Sequence, residues 1–292
     1  MDVVITYVNG LDPVWRSEYE RCTQIPILEK RFRDWGTLKY LFRGIEVNMP
    51  FVRKVHLVVS GESQVPEWIN RESVNVVLHK DIIPEQFLPT FNCNPIEIHL
   101  HRIADLDEEF VYFNDDIFPV LPLKAEDFFR EGKGVIGMSR HLLALDMFKK
   151  ICRNSDRMAR KALGLSPRLL FLRPQHTCAP MLRSESKMLY DTMREDFIKS
   201  FTVTRQSCNI TQYAFTNYLY LKGRIINSRQ SKRHFSVGIA SVSSIRKFIL
   251  KPDYKLVCIN DVRVADEKYV ELRNMLLRTF EERFPAKSKY EK

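Results

Sequence analysis

Glu109-Phe110-Val111-Tyr112-Phe113-Asn114-Asp115-Asp116 is the stretch on which the reading of this chain turns. Phe110 to Phe113 is an unbroken apolar and aromatic run, the pattern of a strand covered on both faces. It runs straight into an amide and two adjacent carboxylates, and Pro119 and Pro122 prevent a clean continuation of the ladder. Open α/β sheets place ligand chemistry outside the carboxyl ends of such strands. Two neighbouring carboxylates repel, and a divalent cation is a natural way to neutralise them. For an Asp-Asp pair taken alone, capping a turn or helix is an equally simple role.

Three segments upstream also have strand character. Residues 2–8 (D-V-V-I-T-Y-V) lead into the turn cluster Asn9-Gly10-Leu11-Asp12-Pro13. Residues 54–60 (K-V-H-L-V-V-S) end at Ser60, and 74–78 (V-N-V-V-L) end before Asp81. Between them Leu38, Leu41, Phe42 and Ile45 fall on one helical face, with Asp34 as the expected N-cap and Pro50 beyond the end. Residues 94–103 alternate like a strand, but Asn94-Pro95 is a good helix entry and a buried parallel strand needs a crossover, so a helix is expected. Strands alternating with helices, each strand ending in polar residues, predict a Rossmann-like, doubly wound, mostly parallel α/β sheet. That rim tips the balance toward a functional Asp115-Asp116.

The second half is less regular, and helical additions are expected there. Residues 146–163 read as a basic helix and 173–180 as a Pro-bounded loop holding His176. Residues 185–193 are a short helix, and 209–221 an aromatic one whose stripe is core packing. Residues 228–255 are basic and interrupted, a mobile flap or an insertion. Residues 255–261 repeat the opening theme, a short apolar strand closing on Asn260-Asp261, and an amphipathic helix over 266–284 ends at Pro285.

With 292 residues the chain suits one large domain or one domain with an elaborated insertion. Its formal charge of +10 points to an anionic partner, or simply to a solvated basic surface. No run approaches the roughly 20 apolar residues that span a bilayer. Residues 1–8 lack a basic start and a cleavage site, so no secretion signal is read there. The six cysteines form no C-x-x-C pair, which argues against a zinc ribbon. No helix-turn-helix or RNP-like motif is present, and no nucleic-acid partner is expected. The expectation is a cytoplasmic protein with peripheral contact to an anionic inner membrane through 146–163 and 228–255.

In this order the motifs resemble those of the Stealth family of sugar-1-phosphate transferases. The first block is Asp2-Val3-Val4-Ile5-Thr6-Tyr7-Val8-Asn9-Gly10-Leu11-Asp12-Pro13. The second runs from Arg31-Phe32-Arg33-Asp34 through Leu38-Lys39-Tyr40, Leu88-Pro89-Thr90-Phe91-Asn92 and His101-Arg102-Ile103 to Tyr112-Phe113-Asn114-Asp115-Asp116. The third holds His176, Pro180 and 205–220, and the fourth is Cys258-Ile259-Asn260-Asp261 with the helix after it. Four blocks in sequence, covering nearly the whole chain, are strong where any one would be weak.

The resemblance implies a nucleotide-sugar donor, usually a UDP-sugar, a glycan or lipid-linked glycan acceptor, and Mg2+ or Mn2+. An acceptor hydroxyl attacks the β-phosphorus and UMP leaves. It implies Glu97, Asp116, His176 and Arg205 as catalytic residues, with Asp115, Asp116, Asn260 and Asp261 around the metal. Asn9, Gly10, Asp12, Arg31, Arg33, Asp34, Arg102 and Asn114 are the expected substrate-binding residues. One catalytic domain over 1–292 is expected: an α/β nucleotide-sugar half (1–123), a mostly helical insertion on the acceptor side (124–254), and a returning strand and helix (255–292). Plain alternatives stand beside these roles. Glu97 pairs with His101 or Arg102; His176 is satisfied by backbone; Arg205 bridges to Asp196; Asn260-Asp261 is a turn. The competing functions are a metal-dependent glycosyltransferase releasing UDP and a non-catalytic polysaccharide- or polyanion-binding protein.

Overall fold

The aromatic run is the spine of the molecule. In the computed structural model, which describes residues 1–261 and 264–292, Asp2–Thr6 (β1), Val55–Val59 (β2), Val74–Leu78 (β3) and Glu109–Asn114 (β4) form a parallel sheet in the order β4-β1-β2-β3. After a tight turn the short strand Ile117–Pro119 (β5) leaves that sheet, and Ala179–Leu182 (β6) returns to flank β4 antiparallel. Alternation along β1 assigns the two faces. Val3 and Ile5, with Leu57, Val111 and Phe113, pack on Leu41, Phe42 and Ile45 of helix Leu38–Asn48 and on Leu276 and Phe280 of helix Asp266–Arg283. Val4, Val58, Phe110 and Tyr112 pack on Ile98, Met158, Leu189 and Phe215 from helices on the other side. Helices on both faces of a mostly parallel sheet are the expected doubly wound architecture.

Several local readings change in the structure. Asp34 is not the N-cap of helix Leu38–Asn48; Thr37 is, and the Asp34 carboxylate accepts from the Gly36 amide at 2.9 Å. Gly36 has φ of 68°, a turn that stops the helix from reaching back to Asp34 and leaves Asp34 facing the sheet rim. Helix Cys93–His99 is capped by Asn92, whose side chain accepts from the Asn94 amide at 3.1 Å, so Pro95 lies inside the first turn rather than at the first helical position. Residues 173–180 are only partly loop, because Phe171–Pro174 and β6 are strands on either side of Gln175–Cys178.

Residues 228–255, read as a mobile flap or an insertion, hold a strand and a helix packed into the fold. Lys232–Ser236 (β7) pairs parallel with Leu256–Asn260 (β8), and helix Val242–Leu250 between them buries Ile245, Phe248 and Ile249. β8 in turn pairs antiparallel with β5, so that Cys258 faces Ile117. The second Asn-Asp strand therefore belongs to a separate three-stranded sheet, order β7-β8-β5, set against the rim of the first.

Candidate active site

The carboxyl ends of the parallel strands open into a cleft of about 1420 Å³. Residues just past the strand ends line it: Tyr7 and Val8 after β1, Ser60 after β2, His79 after β3, and Asn114 to Asp116 after β4. Register does this, since Thr6 pairs with Asn114 and both chains leave the sheet at one level. The 31–34 segment and the 259–261 end of β8 form further walls.

One side of the cleft is acidic. Burial, then the neighbouring charges of Asp116 and Asp34, raise the Asp115 carboxyl to about 7. Asp116 is pinned through its backbone, its carbonyl accepting from the Ile259 amide at 2.8 Å. Its Oδ2 is 3.4 Å from both Asn260 Nδ2 and Cys258 Sγ, and its Oδ1 is buried without a partner. Asp261 is pushed up by burial despite Arg33, whose Nη1 is 4.0 Å from Oδ2. An orphaned carboxylate oxygen among crowded carboxyls fits a hard divalent cation, which takes oxygen ligands. Tyr7 joins this side; burial and the charges of Asp34 and Asp115 push its phenol up, keeping it a hydrogen-bond donor.

The other side is cationic. His176 lies with one ligand atom each of Asp116 and Cys258 within 4.8 Å of its own. Burial lowers its pKa against the pull of Asp116, and Lys232, His234 and Arg173 lower it further, so the imidazole is neutral near pH 7. Its Nδ1 is 3.5 Å from Tyr213 Oη, and its backbone carbonyl accepts from Lys232 Nζ. Arg205 Nη2 lies 2.9 Å from Cys93 Sγ. Arg31 is shifted down by burial and then by Arg205, so two guanidiniums crowd one wall. Arg173 sits over the Phe148 ring at 5.2 Å.

Glu97 is the floor of the site. It is only 6% exposed, and its Oε2 accepts from Thr211 Oγ1 and from the Gln212 amide. Burial raises its pKa, with Thr211, Arg205 and Gln212 opposing. It does not pair with His101, whose Nδ1 faces the Ile98 carbonyl at 3.0 Å, and Arg205 does not bridge to Asp196, which takes Lys161 at 2.7 Å.

Glu97, Asp116, His176, Arg205, Arg31, Arg33, Asp34, Asn114, Asp115, Asn260 and Asp261 thus share one cleft. Four expected site residues do not line it. Asp12 caps helix Pro13–Thr23 through the Val14 amide at 3.1 Å and accepts from Ser63 and Gln64. Asn9 Oδ1 accepts from the Leu11 amide. Gly10 packs flat on Phe32, where a Cβ would stand 2.3 Å from the Phe32 carbonyl oxygen. This turn therefore braces the 31–34 segment that forms a cleft wall. Arg102 ends a short helical turn and is exposed outside the cleft. Conversely, the sequence reading missed Lys232 and His234, which alternate along β7 and so both face the cleft. The K-x-H spacing was the available signal, hidden in a segment read as a basic flap or insertion.

The family model described as Stealth protein CR2, conserved region 2, matches residues 31–136, the segment that carries the 31–34 wall, Glu97 and Asp115-Asp116. The chain is similar to the capsular polysaccharide phosphotransferase LcbA of Aeromonas hydrophila, at 31% identity covering 81% of this chain and 70% of the relative. It is similar to WcwK of Streptococcus pneumoniae at 28% identity over 100% of this chain and 99% of the relative. Among solved structures the galactosyltransferase LgtC aligns over 94% of this chain and 95% of its own, at 12% identity and a TM-score of 0.40. Four sequence blocks folded into one cleft, the family match across its acidic wall, and relatives alignable over most of their length make this chain a transferase of the Stealth family.

Proposed function

We propose that the chain transfers sugar-1-phosphate from a nucleotide-sugar, a UDP-sugar, to a hydroxyl of a glycan or lipid-linked glycan acceptor and releases UMP. One juxtaposition carries the reading. Asp116, with its unpartnered oxygen, lies against neutral His176 in the same cleft as Arg31, Arg173 and Arg205. Phosphoryl transfer asks little covalent work of a protein and much charge balance and alignment. The acceptor oxygen bonds to the β-phosphorus, the bond from that phosphorus to the oxygen bridging to the α-phosphorus breaks, and the bridging oxygen departs with UMP. His176 accepts the hydroxyl proton at the ring nitrogen turned away from Tyr213. Arg205 and Arg31 bind phosphate oxygens, and guanidiniums do so in paired contacts. Glu97 holds Thr211 and the start of helix Tyr213–Leu221 beside Arg205. Asp115 and Asp116, with Asn260 and Asp261, would hold Mg2+ or Mn2+, which would supply charge neutralisation at the pyrophosphate.

The relatives' names, capsular and receptor polysaccharide phosphotransferases, support a growing surface polysaccharide as the acceptor class. The test is incubation with a panel of UDP-sugars, Mg2+ and a hydroxyl-bearing surface-polysaccharide acceptor, read by phosphorus NMR. UMP with a new phosphodiester signal is the expected product. UDP would assign a glycosyltransferase instead, and an unchanged donor across the panel would favour the binding-protein reading.

A further inference from the structure

Seven of the large apolar side chains exposed on the described surface lie between residues 142 and 170: Leu142, Leu143, Leu145, Met147, Leu165, Leu169 and Leu170. Single exposed leucines are ordinary, whereas a contiguous group marks a contact surface. The group is contiguous because strands Met138–His141 and Phe171–Pro174 are antiparallel with His141 opposite Phe171, which brings Leu142 beside Leu170. The display is also built. In the first loop Ala144 is buried, while Leu145 beside it is 75% exposed; across from it Leu169 is 81% exposed.

The surrounding charge is one-sided. Residues 138–170 hold eight Lys and Arg against two Asp, which is +6 of the chain's +10. Helix Met147–Ala162 joins the two leucine loops, and its exposed positions Lys150 and Arg157 share one basic helical face with Lys161, which is paired with Asp196. Arg140 and Arg168 line a groove of about 660 Å³ with Leu165, Leu169 and Leu170, and neither has a carboxylate within 4.0 Å among the described residues. The surface adjoins the cleft mouth, since Phe148 follows Met147 and Arg173 follows Leu170 by three residues, and both line the cleft.

We infer that these leucine loops and the basic stripe between them form a docking surface for an anionic phospholipid bilayer, with the leucines entering the interface and Arg140 and Arg168 taking lipid phosphates. Apolar insertion plus several cations is the two-part signal that stable peripheral attachment requires. Against the sequence expectation, this moves the contact away from 228–255, whose helix and strand are engaged in the fold. Docking here sets the cleft mouth beside a membrane-borne acceptor, yet the surface stands whether or not the chemistry proposed above is correct.

The experiment is co-sedimentation of the full chain, without donor, on phosphatidylcholine vesicles with and without phosphatidylglycerol. Binding at least about tenfold tighter to the anionic vesicles, weakening with salt, is expected. Leu142→Ser/Leu143→Ser/Leu145→Ser, Leu169→Ser/Leu170→Ser and Lys150→Gln/Arg157→Gln should each lose about tenfold, with circular-dichroism melting curves unchanged. Should a serine variant unfold, Leu169→Trp decides independently: its fluorescence should be quenched by brominated acyl chains. Serine variants that bind as wild type, an unquenched Trp at 169, or leucine substitutions that split a dimer in ultracentrifugation while wild type ignores vesicles would each overturn the inference.

Discussion

Asp115 gives the acidic wall a measurable signature. A carboxyl at about 7 in the folded protein, against an ordinary value of 3.8, keeps its proton longer when folded. The folded state therefore binds more protons than the unfolded state between those values, and stability falls as pH rises through that window. Each pK unit is worth 1.36 kcal/mol, so between pH 5 and pH 8 the group costs the fold about 2.6 kcal/mol. Asp115→Asn keeps the shape and removes the titration. Urea unfolding of wild type and variant in chelator, at both pH values, isolates this acidic group because groups remote from Asp34, Asp115 and Asp116 cancel in the double difference. The variant should gain about 2.6 kcal/mol relative to wild type on going from pH 5 to pH 8. Adding Mg2+ at pH 8 should raise the wild-type midpoint and leave that of the variant nearly unmoved, since the crowding that makes Asp115 costly is what a cation relieves. A wild-type-minus-variant difference equal at the two pH values would refute the argument that burial, with the charges of Asp116 and Asp34, holds the Asp115 carboxyl up.

Three further outcomes follow from the site. Activity should vanish in EDTA and return with Mg2+ or Mn2+, and Asp116→Asn should fold normally yet lose at least about 100-fold in turnover, measured by UMP release. His176→Ala should lower turnover with donor affinity unchanged by calorimetry. Because burial lowers the His176 pKa, the wild-type acidic limb should fall below pH 6.5 and be missing from the residual activity of the variant. Arg205→Lys should cost about 1.5–3 kcal/mol in kcat/KM although charge is kept, because an ammonium cannot make the paired phosphate contact; a silent substitution would remove Arg205 from the donor site.

Local pattern was enough to determine much of this protein. Val3 to Ile5, Leu57 to Val59 and Phe110 to Phe113 are apolar on both sides, and such runs, separated by helices, have few stable arrangements other than a buried parallel sheet. The polar residues that close those strands then fall at one rim by connectivity alone, which is why Asn114, Asp115 and Asp116 were legible as site residues. Arg205 and Glu97 were reached through the resemblance of their blocks to a family. Tertiary structure alone decided how these pieces meet. The pairing of β5 with β8, separated by well over a hundred residues, brings Asn260 onto Asp116, and no local periodicity encodes which strand takes which partner. The same pairing orders β7 beside β8 and turns Lys232 and His234 into the cleft, where isolated sequence suggested only a basic flap. For Asn9, Gly10 and Asp12 tertiary structure decided the packing: a turn at a strand end can lie free or brace its neighbour, and the close approach of Phe32 to Gly10 seats this one against the 31–34 segment.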